Sequence, residues 1–170
     1  MSFRAFLALI AVVVGLTTPA ALAAAPATRS TTAEAAILSP LSVIKRADLD
    51  FGTLVVTGAG TAVMDPVSGV VTPTGAVIPA GTDAHPARFT ATGSKNAVAL
   101  IRLPKNPVLL TRVGGTETIS VSTWTQDGAT NRRIPATDTF DFAVGASLAV
   151  VAGQVPGTYT GTFDVTVQYP

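Results

Sequence analysis

The sequence contains no cysteine, a single histidine, three lysines and two glutamates among its 170 residues. Without Cys there is no disulfide scaffold and no lipid-bearing thiol. The usual zinc, haem and thiolate chemistries lack their ligands as well. Charged residues make up only 12 % of the chain, and no cluster of Lys and Arg offers the basic surface that nucleic acid requires. Lys and Glu are strong helix formers and helix-surface ion-pair partners, so their scarcity excludes a coiled coil or helical bundle. No apolar run approaches the ~20 residues needed to cross a bilayer as a helix. What the sequence does hold is 25 Thr and 21 Val, residues stiff at χ1 that fit a pleated sheet. The length suits one domain with a core of its own.

The first residues read as an export leader. One positive charge at Arg4 precedes an apolar run over residues 5–16, and Ala21-Leu22-Ala23 supplies a small-residue cleavage pattern. The expected leader is residues 1–23, with cleavage after Ala23, Ala24 or Ala25. Losing Arg4 leaves ten basic against ten acidic side chains, so the mature chain is neutral. Residues 24–36, rich in Ala, Thr and Ser, read as a flexible N-terminal arm. The periodic body, residues 37–170, has no membrane span.

Along the body, short apolar–polar runs are broken by Gly, Pro, Asn and Asp at sandwich or barrel spacing. Strands are expected at 37–45, 49–57, 61–64, 70–72, 87–92, 98–103, 108–112, 117–125, 139–144, 147–151 and 158–169. Asp65-Pro66-Val67-Ser68-Gly69 reads as a hairpin turn. Residues 126–138, with Arg132 and Arg133, read as the longest and most exposed polar loop. Ile119 and Val121 share a face of their strand while Trp124 falls on the other, unless a bulge shifts the register. The last strand is the most regular. Tyr159, Gly161, Phe163, Val165, Val167 and Tyr169 alternate with Thr160, Thr162, Asp164, Thr166 and Gln168, which gives one apolar and one polar face.

Residues with chemical potential are few and scattered. His85 sits in Asp83-Ala84-His85-Pro86 with no nucleophile-elbow G-x-S-x-G in the chain, and reads as an exposed turn histidine. The carboxylate pairs Asp48/Asp50 and Asp138/Asp141 fall at strand ends, where Asp serves turns. No calcium-loop pattern is present. Arg132-Arg133 reads as a solvated pair. Tyr159, Phe163 and Tyr169 read as core residues rather than a sugar platform. The expectation is a protein without enzymatic activity, cofactor or metal.

Leu49-Asp50-Phe51-Gly52, Phe89-Thr90-Ala91-Thr92-Gly93, Asp141-Phe142-Ala143-Val144-Gly145-Ala146-Ser147-Leu148 and the stretch from Ala152 to Tyr169 together resemble a secreted bacterial family catalogued as domain of unknown function 4402. That family is itself similar to the subunits of chaperone–usher fimbriae and to the spore coat protein U type. Such subunits end in an alternating strand with a penultimate Tyr and a Gly fourteen positions from the end; Tyr169 and Gly157 occupy those places here. The resemblance implies an all-β, immunoglobulin-like sandwich that lacks its last strand and receives it first from a periplasmic chaperone, then from the N-terminal arm of a like subunit. It points to Gly157, Tyr159, Gly161, Phe163, Val165, Val167 and Tyr169 as the face for strand addition or chaperone contact. The arm here is built of small residues, and the fimbrial disulfide is absent. The rival reading is a monomeric secreted sandwich with a complete sheet that binds a ligand through its loops. Both readings place the protein outside the cytoplasm, in the periplasm, at the cell surface or in the medium.

Overall fold

The structure, a computed structural model, describes Arg29 and residues 31–170. The expected leader, residues 1–23, and the first residues of the arm lie outside the described residues. Residues 31–38 are exposed and carry no regular secondary structure.

The described chain is all-β. Its strands are β1 (Ser42–Ala47), β2 (Thr53–Met64), β3 (Val71–Ala80), β4 (Ala87–Thr92), β5 (Val98–Arg102), β6 (Val108–Arg112), β7 (Thr118–Gln126), β8 (Asn131–Arg133), β9 (Thr139–Val150), β10 (Tyr159–Thr160) and β11 (Thr166–Gln168). They form a large curled sheet, with β1-β4-β9-β7-β6-β10 in sequence and the β2–β3 hairpin docked on β9, and a small sheet ordered β11-β5-β8. Among the described residues no helix is long and apolar enough to cross a membrane.

β9 is the hub. Its first half pairs with β4, Phe142 opposite Phe89, and its second half pairs with β2, Leu148 opposite Ala62. β7 holds the other edge, from Val144 to Ala149. Gly145 lies at the handover between β4 and β2, where a Cβ would stand 2.2 Å from the Met64 carbonyl oxygen, so only glycine lets the chains approach. Two expected strands, 139–144 and 147–151, are therefore one continuous strand; the Gly-Ala step is a point of close approach, not a turn. The expected strands 49–57 and 61–64 likewise merge into β2, with a register shift between Val56 and Gly60.

Two apolar clusters fill the sandwich. One joins Phe51, Ala62, Met64, Val77, Ile119, Val121 and Leu148 beneath the β2–β9–β7 region. The other joins Phe89, Ala91, Ile101, Phe142 and Val144 between the β1-β4-β9 layer and the small sheet. Trp124 packs against both. A bulge permits this: Thr123 takes a left-handed φ of 51° at a register shift in β7, which turns the indole back to the inner face.

Four further expectations need correction. The first strand begins at Ser42 rather than residue 37. The run expected to stop at Thr72 continues to Ala80 as β3, an edge strand that tolerates Pro73 and Pro79. The loop 126–138 is less solvated than expected: it contains β8 and the fully buried Ile134. Arg132 is not a free cation either. It donates to Asp127, to the carbonyl oxygens of Ala129 and Asp141, and lies over the Phe142 ring, while Arg133 is exposed.

Candidate functional site

The C-terminal segment expected as one strand over 158–169 is two strands in two sheets. β10 pairs with β6, Tyr159 opposite Arg112, and β11 pairs with β5, Val167 opposite Ile101. The chain crosses between the layers over 161–165, where Gly161 packs against Leu109 and Leu110 with no room for a Cβ. The alternation survives the crossing as far as Val167; Gln168, expected on the polar face, is half-buried as well. Tyr159, Phe163, Val165, Val167 and Tyr169 are half-buried, whereas Thr160, Thr162, Asp164 and Thr166 are exposed; Gly157 and Gly161 are exposed as well. Phe163 lies 4.5 Å from the Trp124 ring, and Val165 and Val167 cover the second cluster.

None of the apolar residues of this face reaches full burial, and the hydrogen-bonding pattern gives the reason. Among the described residues β10 has a partner only in β6 and β11 only in β5. β1 likewise pairs only with β4, and the first residues of β2, Thr53 to Val56, pair only with β3. A cleft of about 520 Å³, with polar as well as apolar lining, opens beside β10. Phe51, Leu54 and Val56 form one wall and Leu110, Ile119 and Leu148 the other. A sheet edge beside a cleft with apolar side chains on both walls is a local geometry that an added strand satisfies, because it offers backbone groups and apolar contact together.

Two hydroxyls fasten the segment. The Tyr159 O–H donates to the Val155 carbonyl oxygen at 2.6 Å and accepts from Gln154 Nε2 at 2.6 Å. A Tyr at the start of a strand that bonds back to the preceding loop is the tyrosine corner of immunoglobulin-like sandwiches. The Tyr169 O–H donates to the Ser39 carbonyl oxygen at 2.8 Å and accepts from the Ser94 N–H at 2.8 Å. Ser39 N–H in turn donates to Ser94 Oγ at 2.5 Å. Near Tyr159, Arg112 donates through Nε to Glu117 at 2.7 Å. This hydrogen bond, supported by the Glu117 backbone N–H, pulls the Glu117 carboxyl down to about 2, and the same bond raises the Arg112 guanidinium.

The other candidates are dispersed and structurally occupied. His85 is exposed and exchanges backbone hydrogen bonds with Asp50, 2.9 Å each way. Asp48 pairs with Lys45, Asp50 accepts from the Gly52 N–H, Asp138 faces Lys95, and Asp141 accepts from the Thr90 hydroxyl. Neither carboxylate pair converges on a cleft. The sequence reading missed the hydroxyl pins and the cleft. The first had a signal, a Tyr following Val155-Pro156-Gly157-Thr158 into a strand. The cleft had none, since its walls come from opposite ends of the chain.

No curated protein and no solved structure matches the chain. The family described as Domain of unknown function (DUF4402) matches over residues 41–169, from the start of β1 to the Tyr169 pin. Its span covers every strand described above and most of the chain, so the protein belongs to that family.

Proposed function

We propose that the protein is an exported, non-enzymatic structural subunit of fimbrial type, assembled by strand addition along the free edge of residues 158–169. The observation that carries this reading is the one-sided pairing of β10 and β11 together with a half-covered apolar face. The partners are a periplasmic chaperone during export and like subunits afterwards, each supplying an extended segment. The seven residues from Gly157 to Tyr169 named above form the acceptor face. The expected export leader supports assembly in the periplasm, at the cell surface or in the medium.

The test supplies a strand in cis. An alternating apolar peptide is fused after Pro170 through a short flexible linker, and melting temperature and aggregation are compared with the parent. A higher melting temperature and loss of aggregation are expected, because a segment that binds only the folded form stabilises it. A parent that is already a stable monomer and gains nothing from the peptide has no need of a strand, and the secreted-monomer reading then replaces this one.

A further inference from the structure

The free edges of the two sheets are protected unequally. β1 carries Lys45 and Arg46, and β8 carries the exposed Arg133, charges of the kind that keep edge strands from pairing with other chains. β3 has no such charge. Its ten residues, Val71 to Ala80, include no Lys, Arg, Asp or Glu, and Ile78 and the adjoining Val70 are 57 % and 59 % exposed. Its only partner among the described residues is β2. A long, uncharged, aliphatic edge strand is a template for uncontrolled association.

We infer that Pro73 and Pro79, with a kink at Gly75, are specificity-determining residues that close the β3 edge to strand addition. Pro73 stands opposite Ala62 and Pro79 opposite Leu54 in the ladder with β2. A ring nitrogen facing β2 would leave a gap in that ladder, so both face outward, where each removes a donor and sets a ring in the path of an incoming backbone. Between them Gly75 has φ 65°, a left-handed step that bends the outer edge. No stretch of β3 then offers an unbroken row of outward donors. The strands of the C-terminal segment, Tyr159–Thr160 and Thr166–Gln168, contain neither Pro nor charge, so their outer edges carry no such guard. The inference takes its purpose from the strand-addition reading: a subunit with one open edge adds partners in one direction.

The experiment uses the full mature chain, with and without the peptide fused after Pro170, and introduces Pro73→Val with Pro79→Val into both. Mass is followed by sedimentation across a concentration series, and folding by thermal unfolding. The fused double variant is expected to associate with rising concentration, to about double the parent's mass or more, while the fused parent stays monomeric. Adding Ile78→Lys to the double variant should restore the monomer by replacing one guard with another. A folded double variant that stays monomeric at every concentration overturns the inference. Should the double variant fail to fold, Pro79→Val alone, with and without Ile78→Lys, gives the same two-way outcome. Failure of the strand-addition reading shows separately: the fusion leaves the parent's melting temperature unchanged, and the guard is then read in the unfused chain.

Discussion

At its Tyr159 end the C-terminal segment borders an open cleft, while at its Tyr169 end it lies against closely packed chain. The two ends use the same device, a tyrosine hydroxyl that both donates and accepts. At Tyr159 both partners, Val155 and Gln154, come from the adjacent loop. At Tyr169 they are Ser39 and Ser94, which gathers the entry to β1, the exit of β4 and the end of β11 at one oxygen. A local pin shapes a loop and leaves the layers free to stand apart. A non-local pin draws them together, and the Gly93 position shows how tightly: a Cβ there would come within 2.9 Å of Leu41, Ile134 and Tyr169. The cleft toward Tyr159 is the larger of the two, and the fastening that holds the strand in place lies toward Tyr169, beside a smaller cleft of about 360 Å³ at Ser39, Gly93 and Ser94.

The comparison can be broken most severely between the two ends. Val165→Asp buries a carboxylate with no partner against the second cluster, and is expected to cost several kcal/mol or to force protonation. Thr166→Asp, one residue on and exposed, should change stability by no more than about 0.5 kcal/mol. Chemical denaturation of the two variants checks the contrast. A similar loss in both would mean the alternation does not set burial.

Steric load should separate the ends next. Gly93→Val overfills the closed end and is expected to cost about 1–3 kcal/mol. Val56→Phe adds volume where the cleft is open, and its effect should stay within about 1 kcal/mol of zero. Removing the hydroxyls gives a smaller contrast. Tyr169→Phe leaves the Ser94 N–H and the Ser39 carbonyl without a partner and should cost about 1–2 kcal/mol. Tyr159→Phe should cost less globally, with faster amide exchange confined to residues 151–158.

The smallest effect is electrostatic and belongs to the Tyr159 end. Glu117, held down to about 2 from an ordinary 4.5, favours the folded state above pH 4.5, and this contribution is lost as pH falls toward 2. The pair is accessible to solvent, so the loss should be slight and weaker in high salt. Glu117→Gln should flatten that part of the stability–pH curve; an unchanged curve would assign the acid sensitivity elsewhere.

How much of this was legible follows from the range of the interactions involved. The alternation of residues 159–167 was readable because the extended chain keeps its period of two even across residues 161–165, which belong to no strand. The turn at Asp65 was readable too: Gly69 N–H donates to the Asp65 carbonyl oxygen at 3.0 Å, with Gly69 at φ 74°. β3 was not, because Pro73, Gly75 and Pro79 are local breakers that an edge strand accommodates on its free side. Nor was the continuity of β9, since the need for Gly145 comes from Met64, far away in sequence. The facing of Trp124 stayed open between two alternatives for a related reason: one left-handed residue, Thr123, supplies the bulge and reverses every facing that follows it. The cleft depends on how Leu54 and Leu148 are brought across from one another, a property of the assembled sandwich.

The position of Trp124 has an optical consequence. It is the chain's one tryptophan, and its indole touches both apolar clusters while lying 4.5 Å from Phe163. Nε1 is buried with no hydrogen-bond partner, so the ring is shielded from water on its polar side as well. Lifting the C-terminal segment away would expose that ring to solvent and shift its emission to the red, and the segment has no hydrogen-bonded partner in β9 to lose. The molecule thus carries an intrinsic, single-site fluorophore at the seam where its last strand docks, and the seating of that strand can be followed in real time in the unlabelled protein.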